Sequence, residues 1–559
     1  MISHKNTTKA AVVMMAAAVM LCILAMIFLG KVEQVSGSAV VAMEYESALF
    51  NTEELMQIDI QMEEEKWEDM LSHASEEEYY SCDIVINGQK ICNVGIRPKG
   101  NTSLSAIAMD PETDRFSLKL EFDHYMEGQT CFGLDKLILN NNYADATNMK
   151  EALVYDMYRY LGVDASLYNY AKISVNGEYW GVYLALEAVE ESFLLRNYGT
   201  EKGALYKPDS MNMGGGHKDR KFEGEPPEFG DGDFPMAGEM PEGGDRELPV
   251  AVEMPEGGGG GFLGADEQTE SGGSFSGGNK PPKFGDGEFP AGNELPAPGG
   301  GFGAGSDGAN LNYTDDNPDS YSAIWEREVL DTGDRDHRRV VTALKNISEG
   351  TDLEKYLDID NILKYMAVHT FSVNMDSLSG NMAHNYYLYE SDGVLNILPW
   401  DYNLSFGGMN MGPDSSAAEM VNDAIDTPFQ GTEFFDALLE NEVYLSRYHA
   451  YLEQLSKEYV LGGRFQEVWQ RIRSQIDALV EIDPTALYSY EEYEAGAKML
   501  YQVILLRAES IQGQLDGMIP ATDEGQRADP ESLVDASGID IEAMGVFDMA
   551  GGSHAPATH

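Results

Sequence analysis

Basic residues are scarce in this chain. Its 559 residues carry 37 Lys and Arg against 95 Asp and Glu, a formal charge of −58. That balance excludes nucleic acid as the main partner, because phosphate binding needs a basic surface. It suits divalent cations, basic proteins or plain solvation. Cysteine is scarce too, with four residues. Cys82 and Cys92 flank "DIVINGQKI", two short strands around the hairpin signal Asn87-Gly88. Strand register decides whether those two sulfurs can bridge. Cys131 has no evident partner and Cys22 lies in an apolar run, so cysteine usage leaves the redox compartment open. No further His or Cys stands at ligand spacing around His369 and His384, which removes a zinc site. Neither G-x-S-x-G nor a Ser/His/Asp order stands out, so a hydrolase has no support. The absence of a D-x-[DN]-x-[DN]-G loop removes an EF-hand-type calcium module.

A membrane-length apolar run occurs at the N-terminus. Ala10 to Gly30 has no charge and follows Lys5 and Lys9. It is long enough to cross a bilayer as a helix, roughly 20 residues being needed. The expectation is a signal anchor over 10–30, with a cleaved signal peptide as the alternative. Residues 1–9 would then be cytoplasmic and the body extracytoplasmic, at the cell surface.

After a linker over 31–46, residues 47–207 read as a sheet-rich region. "RFSLKLEFD" alternates, with Phe116, Leu118, Leu120 and Phe122 on one face, as a half-buried strand does. "NMKEALVYDMYRYLG" reads as a helix from N-cap Asn148 to Gly162. "YAKISVNGEYWGVYLALEAV" reads as a hairpin turning at Asn176-Gly177. Residues 208–312 differ in kind: 221–300 alone hold 21 of the 58 glycines and 11 of the 22 prolines. Such composition cannot bury enough apolar surface to fold, so this is a disordered insertion. It contains an echo, "PPEFGDGDFPMAGEMP" and "PPKFGDGEFPAGNELP", which suits a spacing or docking peptide or a tolerated surface insertion. From 313 to 520 the pattern is mainly helical, and 521–559 reads as a disordered tail.

"NMDSLSGNMAHNYYLY" places Asp376 five residues before Asn381, and "LPWDYN" ends a following hairpin with Asp401. Phosphoryl transfer needs a carboxylate near the attacking hydroxyl and oxygen ligands for Mg²⁺. Protein kinases use this order: helix, Asp, loop, Asn, hairpin, Asp. They also need a strand lysine aimed at the phosphates and a helix acid to orient it. Lys119 lies on the polar face of a strand, and the next helix carries Glu151. Glu151 has a rival reading as the third residue of an N-x-x-E cap with Asn148. "VGIRPKGNTS" runs a strand into a Gly-containing turn that could cover phosphates with Arg97, Lys99 and backbone N–H groups.

The segments "VGIRPKGNTS", "RFSLKLEFD", "GVYLALE", "ALYKP", "NMDSLSGNMAHNYYLY" and "LPWDYNLSFGG" resemble the CotH family, the spore-coat-protein-H-like atypical protein kinases. The likeness runs from about Gln57 to about Gly408, interrupted by the Gly/Pro insertion. It implies an α+β, divergent protein-kinase-like two-lobed fold, with a sheet-rich N-terminal lobe and a helix-rich C-terminal lobe. It implies ATP and Mg²⁺ or Mn²⁺, and phosphate transfer to Ser or Thr of a coat or surface protein. By the resemblance Asp376 would be the catalytic base, Asn381 and Asp401 metal ligands, and Lys119 a phosphate contact. One departure is Asn403, where the family often has a second carboxylate; an amide ligates Mg²⁺ with less charge. The alternative from another class is a surface adhesion or coat-assembly protein that keeps the fold without turnover. A spore-associated location is the alternative to the cell surface.

Overall fold

The structure, a computed structural model, describes residues 41–210, 307–380, 382–410 and 416–548. The expected membrane anchor over 10–30, nearly all of the 208–312 insertion, and Asn381 lie outside them. Among the described residues no helix is long and apolar enough to cross a membrane.

Strand β1 is Met56–Gln61, β2 Tyr80–Ile86, β3 Gln89–Lys99, β4 Ser117–Glu121, β5 Lys136–Asn140, β6 Tyr168–Val175 and β7 Glu178–Glu187. The period-2 pattern predicted by the sequence puts Ile58, Ile84, Ile96, Leu118, Leu120, Leu137 and Ile173 into one core. Asn87-Gly88 and Asn176-Gly177 turn the hairpins β2–β3 and β6–β7, all four residues at positive φ. That is the backbone a two-residue type I′ turn requires.

The order β1-β2-β3-β4-β5-β7-β6 closes on itself as a barrel. The closing pair is β1 with β6, parallel, from Met56 opposite Ala171 to Ile60 opposite Val175. This corrects the two-lobed, kinase-like expectation: the sheet-rich region is a closed seven-stranded barrel. A single hydrophobic core also runs from β5, β6 and β7 through to Met544. The described residues all belong to one compact unit. Closure depends on a pairing across more than a hundred residues, which no local pattern signals. The Cys82–Cys92 bridge that strand register left open is not formed; Cys82 is buried, Cys92 exposed, and both are free.

Helix α1 (Lys150–Leu161) joins β5 to β6 and is buried on all sides from Lys150 to Tyr158. Helix α2 (Glu191–Tyr198) follows β7. Strands β8 (Ala204–Tyr206), β9 (Tyr386–Ser391) and β10 (Val394–Pro399) form a small sheet in the order β10-β9-β8. Helix α3 (Ile359–Ser372) packs on α1 and on β10. Helices α4 (Arg464–Val480) and α5 (Tyr490–Leu515) belong to the helical part, which also holds the helices Asp334–Ser348 and Glu442–Glu453. Residues 521–548, placed in the tail by composition, take up defined structure. They include Asp523–Ala528 as a helix and β12 (Phe547–Asp548) paired in parallel with β11 (Met409–Asn410).

Candidate active site

Asp376 stands in the turn after α3, and Asp401 directly follows β10. A buried polar network ties the two turns together. His369 of α3 is hydrogen-bonded through Nε2 to Ser379 Oγ at 2.7 Å and through Nδ1 to Tyr402 OH at 2.9 Å. Ser377 and Ser379 donate to the Asn374 carbonyl at 2.6 and 3.1 Å. Asn374 Nδ2 donates to the Asp401 carbonyl at 3.2 Å. Burial pushes the His369 pKa down to about 3, so the ring is neutral and serves as a scaffold.

The Asp376 carboxylate is held on both oxygens. Oδ1 accepts from His384 Nε2 at 2.5 Å and Oδ2 from Asn385 Nδ2 at 3.0 Å. Burial works against a charged His384 ring, but the bond to Asp376 and the charges of Asp376, Asp209 and Asp401 outweigh it and raise the pKa. The carboxylate keeps free lone pairs for a substrate hydroxyl.

Asp401 sits in the left-handed region, φ 60°, a conformation that Asp tolerates better than most residues. Its carboxylate accepts no hydrogen bond among the described residues. Burial raises its pKa, Lys99 opposes, Asp376 adds, and Lys207 and His384 oppose. Trp400, just before it, lies under two ammonium groups: Lys99 Nζ at 5.6 Å and Lys207 Nζ at 5.3 Å from the ring centroid. Tyr387 holds Lys207 from another side at 5.4 Å. Burial and then Lys99 push the Lys207 pKa down to about 8, against Asp401 and Asp209.

Glu151 completes the group. The cap expected from Asn148 is not made. The N-cap position is Met149, and Asp145 Oδ2 instead accepts from Lys150 N at 3.0 Å. Glu151 is freed to accept from Asn140 Nδ2 at 2.6 Å and Tyr402 N at 3.3 Å. Burial and neighbouring Asp401 push its pKa up to about 8.

Lys119 and Arg97 belong to a second charge cluster on the outer face of β3, β4 and β5. Lys119 is 3.3 Å from Glu190, which also binds Lys136. Glu190 takes the lysine-orienting place expected of Glu151. Arg97 faces Lys119 across β3–β4 and pairs with Glu77 at 3.2 Å. The clusters adjoin at Tyr387, whose hydroxyl feels both Glu190 and Asp401. Asp135, Glu190 and Glu191 bring carboxylate oxygens within 4.8 Å of one another, but Lys119 and Lys136 already neutralise Glu190.

Asp401 fits a divalent cation: it is half-buried, its carboxylate accepts no hydrogen bond among the described residues, and its ionised form is disfavoured until positive charge arrives. Asn403 Nδ2 donates to the Tyr143 carbonyl at 2.9 Å, which leaves its amide oxygen as a second donor.

A family model described as "CotH kinase protein" matches residues 96–232 and 294–511, more than half of the chain. The chain belongs to the CotH family. The inner spore coat protein H of Bacillus subtilis (strain 168) is 24% identical over 173 residues, 30% of this chain. The match covers 43% of that protein's length. Within the two CotH segments lie Lys99, Glu151, Lys207, Asp376, His384 and Asp401. Sequence reasoning did not single out Lys207 or assign roles to His384 and Asn385. Their signals were present, in "ALYKP" and in the "HNYYLY" that follows Asp376.

Proposed function

We propose that the protein transfers the γ-phosphoryl group of ATP to a Ser or Thr hydroxyl of a protein substrate. The observation that supports this most is the meeting of Asp376, Asp401, Lys99 and Lys207 at one place, from four segments distant in sequence. Asp376, fixed by His384 and Asn385, orients the acceptor hydroxyl and takes its proton as the oxygen attacks phosphorus. Lys99 and Lys207 face the phosphate oxygens, and ADP leaves as the bond to the γ-phosphorus breaks. Mg²⁺ or Mn²⁺, held by Asp401 with Asn403 and Asn381 as further donors, would supply charge neutralisation on the phosphates. The relative's name places that protein in a spore coat, and a coat or surface protein is the substrate class we propose here.

The test is phosphate transfer from labelled ATP by the purified full chain with Mg²⁺ or Mn²⁺. Asp376→Asn and Asp401→Ala run beside it, with thermal melts to show that each variant is folded. Metal-dependent labelling of the chain or of casein, reduced at least about a hundredfold in both variants, is the expected result. No transfer and no nucleotide-induced thermal shift would overturn the proposal and leave the coat-assembly or adhesion reading.

A further inference from the structure

A cavity of about 270 Å³ lies beside the C-terminal half of α1, between it, the segment after Gly162 and the chain around Phe50. It is apart from the residues that hold Asp376 and Asp401. Phe50, Val163, Ala165 and Leu167 give it apolar walls. An engineered apolar cavity of about 150 Å³ takes a benzene, so this one has room for a single ring with a short side chain.

Two polar features stand in that wall. The Ser166 hydroxyl is buried and has no hydrogen-bond partner among the described residues, which is costly unless a ligand or solvent supplies one. Arg159 lines the cavity and is exposed, and its guanidinium makes no hydrogen bond or ion pair among the described residues. The other charges nearby are balanced. Arg196 is bound to Glu187 at 2.6 Å and to the Ala165 carbonyl at 2.9 Å. Glu46 accepts from Met43 N at 2.6 Å and lies in the field of Arg196. Asp156 is matched by Arg471 and by the hydroxyls of Tyr168 and Tyr459. Arg159 is therefore the cation left over, on a chain whose net charge is −58.

We infer that this cavity binds a small organic anion with an apolar body, an aromatic carboxylate of about one ring. The ring fills the space between Phe50 and Leu167, Ser166 Oγ donates to a polar substituent or to the carboxylate, and Arg159 pairs with the charge at the mouth. Tyr155 lines the same cavity, and its hydroxyl feels Glu151 and Asp401.

The test titrates the purified full chain with 3-phenylpropionate, and with the uncharged 3-phenylpropionamide beside it, by ligand-observed NMR. Saturable one-site binding of the acid is expected. Arg159→Gln, an exposed substitution that the fold tolerates, weakens the acid about threefold to fivefold, the size of one surface ion pair, and leaves the amide unchanged. Ser166→Phe fills the space and removes binding of both compounds. If its thermal melt shows that it does not fold, Ser166→Ala replaces it and weakens the acid by a similar factor. No saturable binding of the acid, or binding indifferent to Arg159→Gln, overturns the inference.

Discussion

Asp376, Asp401 and Glu151 are three acids gathered in one poorly hydrated place, and carboxylates so placed repel one another unless cations intervene. Lys99 and Lys207 are those cations, and Lys207 is the more exacting test because burial has already pushed its pKa down to about 8. Lys207→Met is expected to abolish the nucleotide-induced thermal shift with the fold intact. Lys119→Met leaves Glu190 with Lys136 as partner and is expected to retain nucleotide binding, which a side-by-side titration decides. His369 gives a pH prediction. Its pKa falls from 6.5 to about 3 on folding through burial, so the unfolded chain takes up the proton first as the solution is acidified. The stability contributed by the neutral ring is complete above pH 6.5 and is lost as pH falls toward 3. Each pH unit in that window costs up to about 1.4 kcal/mol. His369→Gln removes this dependence, so melting temperatures of variant and parent should converge on acidification; parallel curves would refute the assignment.

At the scale of elements, α1 explains why the site forms. A helix with polar residues buried on every side is stable only if each finds a partner. Lys150 Nζ donates to the Gly545 carbonyl at 2.8 Å, Glu151 bonds Asn140 and Tyr402, and Asp156 bonds Tyr168 and Tyr459. The last stretch of described chain is thus a structural partner of α1, and Met544 is fully buried in the main core. Ending the chain after Pro520 would strip Lys150 of its acceptor, on the order of 2 kcal/mol for that bond alone. It would also remove β12 from β11 and the Val534 contacts to Asn422. A fall in melting temperature of several degrees is the expected outcome, measured against a truncation after Asp548.

For the whole molecule, the closed barrel and the continuous core have a consequence that two lobes would not. The barrel and the helices share residues from β5 to Met544 in one apolar cluster, so they should unfold together. Calorimetry is expected to show a single transition for the barrel and helical parts. Ile60→Ala in β1, whose side chain is fully buried, should lower it for near- and far-ultraviolet signals alike. Two separate transitions, with only one moved by that substitution, would restore an independent N-terminal lobe.

The local pattern determined a good deal. Alternation set the strand faces, Asn-Gly pairs set the hairpin turns, and Gly162 at φ 70° ended α1 where the helix was expected to stop. The Asp376 and Asp401 motifs were legible because each is a contiguous run, and the fixed order of helix, turn and hairpin carries them. What only tertiary structure decided are the pairings between distant segments. The parallel β1–β6 contact turned a sheet into a barrel. Lys119 went to Glu190 because both lie by the same barrel face, while Glu151 turned toward Tyr402 once Asp145 had taken over the helix start. Lys207 became a site residue only through Trp400 and Tyr387, nearly two hundred residues away. A sequence states which groups are available and how nearby ones face. The partner that a buried charge finds is set by burial itself, which takes water away and leaves only the groups that packing has brought near.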